Sequence, residues 1–207
     1  MDRMDVTVLG AGVVGTNLGV RLGELGHRVR FGARDVSSPK VLAALDRVRG
    51  ATSVPLDAAA EGTDLLVLAV PYGAVDDTLD AIGDPGRAIV VDATNAVGVP
   101  LVDGVSSIVD QIHRHFPSAS VVKAFNTVGA EWYLDPTVDG RSVFLPVAGP
   151  SAPAELVAGL AREMGFDAMV IGDVDLAPLL ERQADLWIHL AFRVGFGRDF
   201  AFVRVDR

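Results

Sequence analysis

The segment Val6-Thr7-Val8-Leu9-Gly10-Ala11-Gly12-Val13-Val14-Gly15 constrains this chain more than any other stretch. Its first four residues read as a short buried strand, and they run without a spacer into glycines spaced G-x-G-x-x-G. Gly10 permits a tight turn, Gly12 lets backbone approach a pyrophosphate, and Gly15 lets the next helix pack on the strand. Leu18, Val20, Leu22 and Leu25 then continue at helical spacing. Such a helix aims its free N–H groups and the positive end of its dipole at an anion. With 22 glycines in the chain the spacing alone says little. The preceding apolar run, the following helical pattern and the place near the N-terminus strengthen it.

Strand and helix patterns alternate along the rest of the chain. Candidate strands are 28–31, 51–54, 64–70, 87–92, 120–125, 143–147 and 168–171; candidate helices are 39–48, 73–82, 106–116, 153–164 and a long last one over 176–194. The run Leu65-Leu66-Val67-Leu68-Ala69-Val70 is continuously apolar, as a parallel strand covered on both faces must be. Pro39 sits at a favourable first helical position. The alternation predicts a doubly wound, mostly parallel α/β sheet with a small C-terminal helical part. No repeat or long linker interrupts it. The chain reads as one unit, with a dinucleotide-binding core over about 1–148 and an extension over about 149–207 that carries the long final helix.

Composition narrows the function. The 207 residues are 50% hydrophobic, which excludes a disordered chain. No apolar run approaches the ~20 residues that span a bilayer. The first five residues lead directly into the first strand and leave no room for a signal peptide, so the cytoplasm is expected. No cysteine is present, which removes disulfides, thiolate nucleophiles and cysteine metal sites. A formal charge of −9 argues against nucleic acid and anionic membranes as partners.

About 20 residues past the glycines, an NAD-binding chain places an acidic residue on the ribose 2′-hydroxyl. Here the second strand ends Gly32-Ala33-Arg34, with Asp35 one step beyond. Arg34 is positioned to clamp a 2′-phosphate through its planar fork of donors, and Ser37, Ser38 and Lys40 could add hydroxyl and ammonium donors. NADP is favoured, although Asp35 could swing inward and take the acidic role. Ligands in such sheets lie across the carboxyl ends of the strands. The candidate site therefore comprises Val70-Pro71-Tyr72, Asp92-Ala93-Thr94-Asn95 and Lys123-Ala124-Phe125-Asn126-Thr127-Val128-Gly129. Tyr72, Asp92 and Lys123 are its titratable groups, and no proton-transfer pair, Ser/His/Asp set or metal-ligand cluster is recognisable among them. His27, His113, His115 and His189 are scattered. No catalytic residue stands out; Pro71, Tyr72, Asn126 and Thr127 are left as positioning residues. Backbone, amides and apolar walls suit a hydride passed directly between stacked rings. On that reading, Lys123→Ala should cost little.

These residues also carry a resemblance. Gly10-x-Gly12-x-x-Gly15, Gly32-Ala33-Arg34, Leu66 to Tyr72, Val91 to Asn95 and Val122 to Thr127 resemble the NADPH:coenzyme F420 oxidoreductase family. Leu186 to Phe192 and Gly197 to Phe202 are similar to bacterial members, so the likeness covers essentially the whole chain. It implies a Rossmann domain with a small C-terminal part, usually dimeric. It implies pyrophosphate on Ala11, Gly12, Val13 and Val14, and the 2′-phosphate near Ala33, Arg34 and Ser38 or Lys40. The nicotinamide is then expected near Val70, Pro71, Ala74, Asn95 and Ala124. The deazaflavin, coenzyme F420, would stack against it in a cleft edged by Pro71, Tyr72, the 126–129 loop and the final helix. Departures from the family fall at Ala33, where a phosphate-binding serine is common, and at Gly149-Pro150-Ser151 and Gly172-Asp173-Val174-Asp175 on the expected substrate side. Other acceptors therefore stay open: a flavin, a metal chelate through flavin, or a carbonyl or imine. A nucleotide-sensing subunit without turnover is a further alternative.

Leu186, Trp187, Ile188, Leu190, Ala191, Phe192, Val194 and Phe196 leave the last helix almost no polar face there, and such a face must be buried. A homodimer built through this helix is the favoured reading, with intramolecular packing as the alternative. Arg193, Arg198, Arg204 and Arg207 cluster just beyond and could attract an anionic coenzyme tail, or form a solvated basic end.

Overall fold

The computed structural model describes residues 2–207. Two βα units and a third strand open the chain: β1 (Asp5–Leu9), α1 (Val13–Glu24), β2 (Arg28–Ala33), α2 (Pro39–Arg47) and β3 (Thr52–Pro55). The next strands, β4 (Leu65–Leu68), β5 (Ile89–Asp92) and β6 (Ser120–Lys123), alternate with α3 (Val75–Ile82) and α4 (Ile108–His115). A hairpin of β7 (Thr137–Val138) and β8 (Arg141–Ser142) leads to β9 (Phe144–Ala148), α5 (Ser151–Glu163) and β10 (Asp167–Gly172). Helix α6 (Ala177–His189) follows and continues into a π-helical turn over Leu190–Val194. The sheet runs β10-β9-β6-β5-β4-β1-β2-β3. Its strands 3-2-1-4-5-6 are parallel, the order of a Rossmann fold, whose crevice opens where the order reverses between β1 and β4.

Alternation along β4 explains the two cores. Leu65 and Val67 join one cluster with Val8, Leu18 and Phe31, whereas Leu66 and Leu68 join the other with Leu79, Ile82 and Ile112. Successive side chains of a strand face opposite layers, so a strand buried on both faces must be apolar throughout. Strand β9 pairs with β6 antiparallel through Lys123 and Ala148, and β10 adds parallel to β9.

Two boundaries differ from the sequence reading in ways that matter for the site. The strand expected over 120–125 ends at Lys123, because Phe125 adopts a left-handed conformation with φ 65°. A bulky residue tolerates that only where its surroundings hold it. Here the Tyr133 hydroxyl donates to the Phe125 carbonyl at 2.5 Å. The resulting turn aims Asn126 at the amino-terminal half of α6. The helix expected from 106 begins at Ile108, behind a reciprocal cap in which Ser107 Oγ accepts from Asp110 N–H and the Asp110 carboxylate accepts from Ser107 N–H.

Candidate functional site

The glycine-rich turn behaves as its spacing requires. Gly10 has φ 106°, and a Cβ there would lie 2.5 Å from the Ala69 carbonyl oxygen. A Cβ on Gly15 would stand 2.0 Å from the Gly10 carbonyl oxygen, so only glycine lets α1 seat this closely on β1. At Gly12 a Cβ would meet nothing within 4 Å: the space over the turn is open. Helix α1 starts at Val13 with no side-chain cap and no acidic residue in its first turn, so its first N–H groups and dipole remain available to an anion. The residues present therefore fit a dinucleotide pyrophosphate.

Two cavities flank this turn and meet at Val70 and Pro71. The first, about 280 Å³, lies between the end of β2 and the start of α3 and is lined by Gly10, Ala33, Arg34, Asp35, Ser38 and Ala74 among others. The second, about 330 Å³, is walled by Gly12, Val13, Val14, Ala69 and the 93–97 segment, including Asn95. Most of the expected cofactor residues thus border one continuous track. Ala11 and Lys40 line a neighbouring hollow with Thr16 and Arg47, on the other side of the α1 start. Ala124 borders neither cavity, being wholly buried in the core.

At the tip of β2, the Arg34 guanidinium donates to the Asp77 carboxylate of α3 at 2.8 Å, across the mouth of the first cavity. Both side chains are more than 60% exposed, so the pair holds loosely and can yield to a stronger anion. Asp35 has a different engagement: its carboxylate accepts from the Ser37 N–H and hydroxyl, which hold its pKa below the ordinary carboxylate range. Arg34 therefore does not pair with Asp35, and the carboxylate is committed to its own turn.

The sequence reading missed one feature, a buried cluster of charges at the strand ends. Lys123 and Asp92 are fully buried, and Lys123 Nζ donates to Asp92 Oδ2 and to the Thr94 carbonyl, each at 2.8 Å. The Glu181 carboxylate of α6 lies 3.1 Å from the same nitrogen and accepts from the Ile108 N–H at 2.9 Å. Burial pushes the Glu181 carboxyl above its usual range, with Asp92 adding repulsion, against the pull of Lys123 and Ile108 N–H. Asp92 Oδ1 is held by the Thr94 N–H and hydroxyl. Nothing local marks this set: Glu181 lies 58 positions beyond Lys123 and had been read only as part of a helix.

Around this cluster, Asn95 and Asn126 exchange amide hydrogen bonds: Asn95 Nδ2 donates to the Asn126 carbonyl at 2.8 Å, and Asn126 Nδ2 to Asn95 Oδ1 at 3.0 Å. Asn126 Nδ2 also reaches the Leu180 carbonyl of α6 at 3.2 Å. Asn126 and Thr127 are themselves buried, so they position Asn95 and α6 rather than line the cavities. The Tyr72 hydroxyl accepts from Val102 N–H at 2.9 Å, tying the 71–74 turn to the loop before α4. A third cavity, about 190 Å³, opens between Asn95 and α6 and is lined by Val99, Leu101, Glu181, Arg182 and Asp185. Gly149, Ser151, Gly172 and Asp173 border a separate hollow that shares no lining residue with this track. Among the histidines, buried His27 accepts from the Met4 N–H, and His115 stands between Asp76 and Asp80. No cluster that could hold a metal occurs among the described residues.

The end of the chain bears on two expectations. Trp187 and Ala191 are buried, but Leu186, Phe192, Val194 and Phe196 are between 51 and 60% exposed. The chain's own packing covers only one side of this helix. Of the arginines beyond it, Arg198 pairs with Glu131 at 2.7 Å while lying over the Trp187 and Phe192 rings, and Arg204 pairs with Asp167 and Asp206. No helix among the described residues is long and apolar enough to cross a membrane.

Comparison with known proteins agrees with this geometry. Residues 5–96, from β1 to the end of the second cavity, match the family described as NADP oxidoreductase, coenzyme F420-dependent. A provisionally named F420-dependent NADP reductase from Arthrobacter sp. is 29% identical, with a TM-score of 0.82, and the match covers 97% of this chain and 100% of that one. A hypothetical protein from Sinorhizobium meliloti is 26% identical at a TM-score of 0.76, covering 98% and 96%. A reductive aminase from Aspergillus terreus, 19% identical over 94% of this chain and 64% of that one, shares the fold at a TM-score of 0.70. Through residues 5–96 the protein is an NADP-dependent oxidoreductase.

Proposed function

We propose that this NADP-dependent oxidoreductase passes a hydride reversibly between NADPH and a deazaflavin of the coenzyme F420 type, with no covalent intermediate. The observation that carries the reading is the continuous track from Arg34 to Asn95, which joins a guanidinium, an uncapped helix N-terminus and an apolar wall at the strand ends. In this reading Arg34 and Ser38 take the 2′-phosphate, with Lys40 from the side, while Gly10 to Gly15 take the pyrophosphate. Val70, Pro71, Ala74 and Asn95 orient the nicotinamide, and the bound nucleotide supplies the hydride. The acceptor enters beside Pro71, Tyr72 and Asn95 under α6. The family match over residues 5–96 and the likeness to the Arthrobacter protein support this choice of acceptor. The exposed apolar end of α6 supports a homodimer, in which the partner's helix would help close that cleft.

A second reading has its own observation. The buried Lys123–Glu181 contact borders the third cavity and would serve a carbonyl or imine as well as the deazaflavin, since each takes a proton with the hydride. The test mixes the protein, NADPH and purified acceptors and follows NADPH absorbance. Oxidation with the deazaflavin but not with free flavins is the expected result. Turnover with an imine or carbonyl alone selects the second reading, and tight NADPH binding with no acceptor reduced would make the protein a nucleotide sensor.

A further inference from the structure

We propose that Glu181 exchanges the proton that accompanies the hydride, and is thus a catalytic residue of the acceptor side. The proposal rests on the functional reading above, in which the acceptor lies beside Asn95 under α6. Three independent features meet at this side chain. It lines the cavity between Asn95 and α6, so a bound acceptor can reach it. Its side chain is only 13% exposed. Its Oε1 is held by the Ile108 N–H at 2.9 Å, with Lys123 Nζ at 3.1 Å, so the carboxyl is fixed rather than swinging in solvent.

The charges around it are those a proton exchanger needs. Lys123 faces it from β6, Asp92 stands behind Lys123 on β5, and the amino-terminal end of α4 presents Ile108 N–H. From α6 itself, Arg182 and Asp185 share the cavity wall. Burial and Asp92 hold the carboxyl above its ordinary range, which keeps the acid form populated nearer neutral pH. When the hydride leaves the nicotinamide for the acceptor, Glu181 gives its proton to the acceptor's nitrogen or oxygen. The sum is NADPH, acceptor and one proton giving NADP⁺ and the doubly reduced acceptor. The carboxylate left behind is stabilised by the Lys123 ammonium and the Ile108 N–H, and regains a proton from water in the open cavity. Lys123 acts through Glu181 and is a positioning residue.

The test compares wild type with E181Q, which keeps the volume and removes the proton. Turnover of the deazaflavin by NADPH should fall about a hundredfold in E181Q, with NADPH affinity unchanged, and the wild-type loss of rate toward alkaline pH should vanish. Without any acceptor, the infrared difference between wild type and E181Q should carry a protonated-carboxyl band that disappears as pH rises. E181Q turnover within about twofold of wild type, with the same pH profile, or no such band, would overturn the proposal. If the deazaflavin is not reduced by wild type, the acceptor reading fails. The same comparison with a cyclic imine, which also takes a hydride and a proton, then decides Glu181, and inertness toward both overturns the role. Should E181Q not fold, E181D replaces it, with a lowered rate and a retained alkaline limb expected; a vanished limb would overturn the role.

Discussion

At the scale of single residues, Arg34 and Lys123 show how burial decides what a charge does. Arg34 is exposed and pairs with an exposed aspartate, a loose contact that a phosphate would outcompete in the proposed reading. Arg34→Ala should weaken NADPH binding by about tenfold or more and leave NADH nearly untouched, as read by fluorescence titration of both nucleotides. Equal losses for the two would remove the phosphate clamp. Gly32-Ala33-Arg34 could be read from spacing because the β2 terminus lies a fixed distance from the glycines in every such unit. The role of Asp35 could not, since its choice between the ribose and Ser37 is settled by one local turn.

At the scale of elements, Lys123 joins three of them: its own β6, β5 through Asp92, and α6 through Glu181. The expectation that its removal costs little concerns direct hydride transfer alone; for the fold, Lys123 is a wholly buried ammonium with all three donors facing oxygen. Lys123→Met leaves Asp92 and Glu181 without their counter-charge and should cost about 3–5 kcal/mol. At roughly 2–4 °C per kcal/mol for a chain of this size, that lowers the melting temperature by on the order of 10 °C, measurable by calorimetry. An unchanged melting point would mean that the cluster does not hold α6 to the sheet. Strands β4 and β5 were legible because a strand covered on both faces must be apolar along its length. The end of β6 was not, because the turn at Phe125 depends on Tyr133, eight residues on, and no propensity of Phe anticipates it.

For the whole molecule, the surface left over after folding carries the next expectation. Phe192 and Val194 stay exposed on the last helical turn and Phe196 just beyond it, although Trp187, Phe200 and Phe202 form an aromatic group beside them. In the proposed dimer, this apolar patch is what the partner covers. A double variant, Phe192→Ser with Phe196→Ser, should convert a dimer to a monomer in sedimentation while the melting temperature of the monomer stays close to that of wild type. A wild-type protein that sediments as a monomer would refute the dimer outright.

What the sequence determined by itself was the frame set by glycine spacing and hydrophobic periodicity. The glycine spacing, the two-residue alternation, the doubly buried β4 and the arginine after β2 all act within one βα unit, and together they prescribe a nucleotide-binding sheet. What only the tertiary structure decided was which distant charges meet. Asp92 and Lys123 meet through the pairing of β5 with β6, and Glu181 comes within reach of Lys123 only when α6 lies across those strand ends. Burial there changes the chemistry of Glu181, whose carboxyl is pushed above its ordinary range chiefly by the loss of water.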